Sequence, residues 1–157
     1  MLGTNDHDEF ITRSIIAIAT TLRADGSPAS SMISFVRLDD RLYFTTTMDR
    51  LKGRSLARDP RVTLTVLNPH EPWSFVSVEG LVRIHRDNPP ELRSLVVALA
   101  DHPDYPWSRS EVDAMVTAPG RAIFELNADR VSGVVFPVLD ERRPEEIIGY
   151  DEHGLPS

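Results

Sequence analysis

The sequence predicts a mainly β domain, a small antiparallel barrel with short helices plugging its ends. Three observations lead there. Alternating or β-branched runs recur at residues 14–22, 29–38, 41–46, 61–67 and 73–86. Turn residues separate the first three so closely that only hairpins fit. Helical periodicity is confined to short stretches between strands. A plain α+β sandwich is the alternative arrangement of the same elements.

The run 14–22 ends at Ala24-Asp25-Gly26-Ser27-Pro28, a cluster that supplies both a positive-φ position and a strand stop. The next strand, 29–38, sets Met32, Ser34 and Val36 on one face and Ser31, Ile33, Phe35 and Arg37 on the other. It turns at Asp39-Asp40 into a third strand that finishes in Thr45 and Thr46. A helix over 49–58, capped by Thr47 or Asp49, stops before Asp59-Pro60, because a residue preceding proline is pushed out of the α region. Strand 61–67 follows.

The long strand 73–86 carries Gly80, a bulge position. Asn88 reads as the cap of a helix over 92–100, where Leu92, Leu95, Val96 and Leu99 form one apolar stripe. A short helix near 110–116 precedes two closing strands, 121–126 and 131–136. From 140 to 157 charge, proline and glycine dominate without periodicity, so the domain is expected over 1–139 with a flexible tail or dimer arm after it.

The 157 residues suit one domain with a real core, at 41% hydrophobic and 26% charged residues. A net charge of −7 argues against a nucleic-acid partner, because phosphate neutralisation needs a basic face. No apolar run approaches the roughly 20 residues of a bilayer span, and the acidic start lacks a signal peptide's basic region, so no membrane partner and a cytoplasmic location are expected. The absence of cysteine removes disulfides, thiolate nucleophiles and zinc–sulfur sites. The five histidines show no metal-ligand spacing, and no metal is expected.

Basic residues are unevenly used: sixteen arginines accompany one lysine, Lys52. That lysine sits in the first turn of the helix that follows the threonine-rich strand end. Hydroxyls, unsatisfied N–H groups of a helix start, an ammonium and a guanidinium together make a phosphate site. Thr45, Thr46, Arg50 and Lys52 are its candidates. Arg50, Arg54 and Arg58 recur every four residues along one helical face, with Arg61 beyond the turn, as a track for further negative charge.

Five stretches then carry a resemblance: 17–28, 42–46, 50–56, 58–62 and 76–80. In that order and spacing the chain resembles the flavin and deazaflavin split-barrel superfamily that includes pyridoxamine 5′-phosphate oxidase, and within it the branch dependent on coenzyme F-420. The resemblance implies a six- to seven-stranded antiparallel split barrel and a homodimer with two cofactor grooves at its interface. It implies the cofactor phosphate on Thr45, Thr46, Arg50 and Lys52, the ring system along Met32, Ile33, Ser34 and Phe35, and an oligoglutamate tail over Arg54, Arg58 and Arg61. The oxidases' paired arginine and lysine are replaced here by Leu51 and Lys52. Their glutamine on the long strand appears as Phe75, and their C-terminal substrate residues have no counterpart, so pyridoxamine phosphate oxidation is not expected.

The implied activity is hydride transfer between coenzyme F-420 and a small conjugated carbonyl, enone or quinone. A flavin mononucleotide enzyme of the same fold, or a noncatalytic cofactor- or tetrapyrrole-binding protein, is the alternative. No catalytic acid stands out. Tyr43, Trp73, Tyr105 and Trp107 are candidates for an aromatic wall or lid.

Overall fold

A computed structural model describes residues 1–137; the tail expected over 140–157 lies outside them. The elements in chain order are α1 (Asn5–Thr12), β1 (Ile16–Leu22), β2 (Pro28–Ser34), β3 (Val36–Leu38), β4 (Arg41–Thr47), α2 (Leu51–Arg58), β5 (Arg61–Leu67), β6 (Phe75–His85), α3 (Pro90–Val97), α4 (Arg109–Val116) and β7 (Arg121–Val134), with a 3-10 turn at Ala98–Asp101.

Seven antiparallel strands form one sheet in the order β2-β1-β5-β6-β7-β4-β3. Its two edge strands, β2 and β3, are consecutive in the chain and separated only by Phe35. An open flat sheet cannot satisfy that link, so the sheet curls until its edges meet. Phe35 N–H donates to Ile15 O at 2.9 Å and fills the joint with a ring only 1% exposed. The expected barrel is therefore present as a curled, split sheet.

Inside the curl, Ala17, Ile33, Leu42, Phe44, Leu64, Val66, Val76, Val78 and Phe124 form the main core, with Phe44 stacked on Phe124 at 5.2 Å. A second apolar cluster lies on the outer side of β4 and β7, where Tyr43 and Ile123 meet Val96, Val97 and Leu99 of the α3 segment and Val112 and Val116 of α4. The predicted stripe on α3 is the face that docks there, with Leu92 and Leu95 at its margin.

Several expectations need correction. Helix α1 has no counterpart among the expected elements; the hydroxyl of its cap Thr4 accepts from His7 N–H, and His7 Nδ1 accepts from Thr4 N–H. The strand expected at 29–38 is broken at Phe35. Trp73 precedes β6 and stands 82% exposed. The strands expected at 121–126 and 131–136 are one, β7, which ends at Val134 and pairs with β4 through its first half and with β6 along most of its length. Asn88 does not cap α3: it takes φ of +49° and donates to Val116 O at 3.2 Å, while Pro89 holds the cap position. A bulge does lie at the Glu79/Gly80 step, but its extra residue is Asp129 on β7 and Gly80 is itself paired with Ala128; glycine is needed there because an added Cβ would strike Asn127 O.

Candidate functional site

Helix α2 begins at Leu51, with Arg50 in extended conformation as its cap and no side chain bonded to its first N–H groups. Its first turn contains no acid. Neither Thr47 nor Asp49 caps it, contrary to expectation. The Thr47 hydroxyl is the first cause holding the Asp49 carboxyl below its usual value, yet the pair falls short of hydrogen-bond geometry and Thr47 Oγ1 is left buried without a partner. An uncapped helix start of this kind attracts anions.

Gly53 sets the helix close to the end of β4. A Cβ there would sit 2.4 Å from Thr47 O and 2.9 Å from Met48 Cα, so only glycine lets the helix approach. From that position Lys52 reaches back across the groove, and its ammonium donates to Ser31 Oγ on β2 at 2.8 Å. Arg121 arrives from a distant part of the chain: it pairs with Thr47 in the β4–β7 register, and Met48 N–H donates to Gly120 O at 2.8 Å.

Three cations thus converge on one place. Burial, then Arg50 and Arg121, lowers the Lys52 pKa from its ordinary value. Burial, then Arg50, does the same to Arg121, whose Nε is buried without a partner. Among the described residues none of the three forms a salt bridge. Like charges held together, with Lys52 and Arg121 half-buried beside an exposed Arg50 and one donor orphaned, are costly unless an anion joins them.

The other candidate residues divide by strand alternation. Thr45 shares the outer face of β4 with Tyr43 and Thr47, is half-buried, and donates to Ala122 O at 2.8 Å. Thr46 lies on the core face and is 4% exposed; it cannot stand beside Thr45 as expected, because successive side chains point to opposite faces. Likewise Met32 is exposed and Ser34 half-buried on one face of β2, whereas Ile33 and Phe35 are core residues that leave only main chain to a ligand. Arg54 is exposed at the site's edge. Arg58 donates to Leu22 O, and Arg61 is clamped on Asp59, whose carboxyl it holds down to about 2. Of the expected arginine track, Arg54 and Arg58 are exposed, Arg58 with one guanidinium nitrogen on Leu22 O, and Arg61 is committed to Asp59.

The pattern of the family described as pyridoxamine 5′-phosphate oxidase matches residues 4–135. The chain belongs to this family. Among curated proteins none matches it in sequence. Its fold is similar to that of an F-420 reductase, with 25% identity, 83% of this chain and 98% of that chain covered, and a TM-score of 0.66. A conserved hypothetical protein from Mycobacterium tuberculosis gives 22%, 85%, 84% and 0.68 for the same quantities. HutZ, a heme storage protein from Vibrio cholerae, gives 13%, 84%, 94% and 0.67. At these last identities the likeness is one of fold. The pyridoxamine 5′-phosphate oxidase family thus accounts for the split-barrel frame that carries the cation cluster.

The aromatic candidates also separate. Tyr43 is buried and its hydroxyl donates to Glu125 Oε1 at 3.1 Å; His85 and Asn127 also bond Glu125, a buried network that the sequence did not announce. Tyr105 and Trp107 meet edge to face at 5.4 Å, and Ser34 and Arg121 both act on the Tyr105 phenol. The four described histidines are each engaged with protein groups: His7 with Gly133 O and Thr4 N, His70 with Asp104, His85 with Glu125 and His102 with Asp104 N. Among the described residues there is no metal-binding group of three ligand side chains, and no helix is long and apolar enough to cross a membrane.

Proposed function

We propose that the protein is a coenzyme F-420-dependent reductase of small conjugated carbonyls, working as a homodimer. The convergence of Arg50, Lys52 and Arg121 at the open start of α2 carries this reading. These residues fit a phosphate: they offer three positive groups, an orphaned guanidinium N–H and free helix N–H groups, and the Thr47 hydroxyl lies beside them unpaired. The similarity to an F-420 reductase supports a deazaflavin over flavin mononucleotide.

When bound, a reduced deazaflavin supplies a hydride. The chain does the rest. Lys52, Arg50 and Arg121 hold the phosphate, with Thr45 at the margin. The main chain of Met32 to Phe35 and the Ser34 hydroxyl orient the ring, and exposed Arg54 receives negative charge from an oligoglutamate tail. Tyr105 and Trp107 cover the groove beside Ser34 and keep water out. Flavin mononucleotide is the alternative cofactor of this reading. A heme-binding role has no histidine free of protein partners to favour it among the described residues.

Calorimetric titration with coenzyme F-420, flavin mononucleotide and hemin tests the proposal. Tightest binding of coenzyme F-420, followed by consumption of its reduced form by cyclohexenone or menadione, is the expected result. Equal or tighter binding of flavin mononucleotide removes the deazaflavin assignment, and a hemin complex without enone turnover removes the reductase.

A further inference from the structure

Tyr105 stands in a second cluster at the edge of the cation site. Its backbone is held by one bond and its ring by two contacts. The main-chain N–H donates to His102 O at 3.1 Å, the ring meets Trp107 at 5.4 Å and 76°, and its body packs against the apolar cluster under α3 and α4. The charged and polar groups that face its hydroxyl are Ser34 from the end of β2 and Arg121 from the start of β7. Both favour the phenolate, yet burial outweighs them and raises the phenol above its ordinary 10.0, so it carries its proton at neutral pH.

Trp107, 52% exposed, also lines a hollow of about 300 Å³ with Glu111, Val112 and Met115. A half-buried phenol beside a cation, and a hollow whose wall combines Trp107, Val112 and Met115 with the Glu111 side chain that caps α4, are the two parts that reduction of a conjugated carbonyl asks of a protein. One gives a proton where negative charge develops. The other seats an uncharged, flat molecule.

We propose that Tyr105 is the proton donor to the acceptor molecule, and that the hollow beside Trp107 seats that molecule's apolar end. This rests on the reductase reading above and assigns it a substrate class: planar enones and quinones bearing an apolar arm. With an enone, a bound reduced deazaflavin would supply the hydride for a new C–H bond at the β-carbon. The carbon–carbon π bond breaks and its electron pair moves to the carbonyl oxygen as an enolate. The Tyr105 O–H bond then breaks, its proton passes to the enolate, and water reprotonates the phenolate. Arg121 stabilises both transient anions from beside the phenol. Two electrons leave the cofactor and two hydrogens reach the substrate.

The test uses the full chain, reduced coenzyme F-420, cyclohexenone and menadione. Tyr105→Phe keeps the ring and its packing, and its melting temperature is measured alongside. It is expected to bind oxidised coenzyme F-420 within about twofold of the unaltered protein, and to lose about a hundredfold in kcat on cyclohexenone with KM little changed. The loss on menadione is expected to be smaller, because the hydroquinone anion takes its proton readily from water. Ultraviolet titration of the cofactor-free protein is expected to lose one late-ionising phenol in this variant. In a Trp73→Phe background Trp107 is the sole tryptophan, and menadione is expected to quench it saturably; Met115→Phe, which fills the hollow, is expected to weaken that quenching about fivefold. Equal cyclohexenone turnover by Tyr105→Phe overturns the proton donor and leaves the reductase standing. Quenching unchanged by Met115→Phe overturns the hollow. An unaltered protein that fails to bind coenzyme F-420, or binds it and reduces neither acceptor, overturns both this proposal and the reading beneath it.

Discussion

The Lys52 ammonium donates to the Ser31 hydroxyl at 2.8 Å, which joins the first turn of α2 to β2 across the open side of the sheet. The bond uses one of three ammonium hydrogens, so the lysine is placed by Ser31 and still has donors for an anion.

Lys52→Ala is expected to weaken coenzyme F-420 binding by about 1.5–3 kcal/mol, the value of a hydrogen bond to a charged group, with little change in melting temperature. Unchanged affinity in calorimetry would sink the phosphate assignment. The pH dependence has a definite sign. The Lys52 pKa in the free protein lies below 10.5, so affinity is full while the ammonium is charged and falls as pH rises through that lowered value. A bound anion raises the value again, and proton uptake on binding at alkaline pH is the corresponding calorimetric observation.

Arg121→Met should separate stability from binding. Removing a half-buried guanidinium with an orphaned Nε and two cationic neighbours is expected to stabilise the cofactor-free protein by about 1 kcal/mol, which raises the melting temperature by about 2–4 °C. Affinity for either phosphate-bearing cofactor is expected to fall about tenfold or more. A lower melting temperature together with intact binding would make Arg121 a structural residue.

Gly53→Ala inverts the usual helix rule. Alanine in place of a helical glycine ordinarily adds about 1 kcal/mol of stability. Here the new Cβ would strike Thr47 O, and the expected outcome is a loss of about 1–3 kcal/mol with weaker cofactor binding, as α2 is displaced from β4. Chemical denaturation decides it by sign alone.

Acid stability should depend on Glu71. Arg13 grips it with two bonds of 2.6 and 2.7 Å and, as the largest cause, holds its carboxyl below 4.5. A depressed folded value contributes stability that is present above the unfolded value and is lost as pH falls through the folded one. Glu71→Gln is expected to cost about 1 kcal/mol at pH 7 and to flatten the acid limb below pH 4.5. An identical acid transition in the variant would remove the pair from the account.

The homodimer is tested by sedimentation at low micromolar concentration. Trp73, Phe75, Val134 and Phe136 are exposed apolar side chains around the start of β6 and the end of β7, where Phe75 pairs with Val134, and Met32 is 65% exposed on β2. Phe75→Lys with Val134→Lys is expected to give monomers with weakened cofactor binding. A monomeric unaltered protein that binds cofactor at full stoichiometry would withdraw the interface.

The sheet was legible because local signals specify it: the Asp25-Gly26 turn and the stop at Pro60 each act within a few residues. What the sequence concealed depends on contacts between distant segments. Phe35 breaks a strand because the sheet edges must join, which no local pattern states. Residues 127–130 separate the two expected closing strands, yet Asn127, Ala128 and Arg130 pair with β6 and the strand continues through them, with Asp129 as the residue the register skips. Arg121 joins Lys52 only through its pairing with Thr47, so the third cation was invisible to spacing arguments. For α1 a signal did exist: Thr4 followed by Asp6 and Asp8 and then Phe10-Ile11 is a capped, amphipathic start.

Strand β7 lies between β6 and β4, and without it the β3–β4 hairpin has no ladder to the β2-β1-β5-β6 group. During synthesis these two groups leave the ribosome well before the strand that unites them, and each waits with an unpaired border facing solvent. Closure is consequently a late, long-range event, and the interval before it is when the nascent chain is open to mispairing with its neighbours. A chaperone that shields the border of β4 or β6 during that interval would raise the yield of folded protein without touching its final stability.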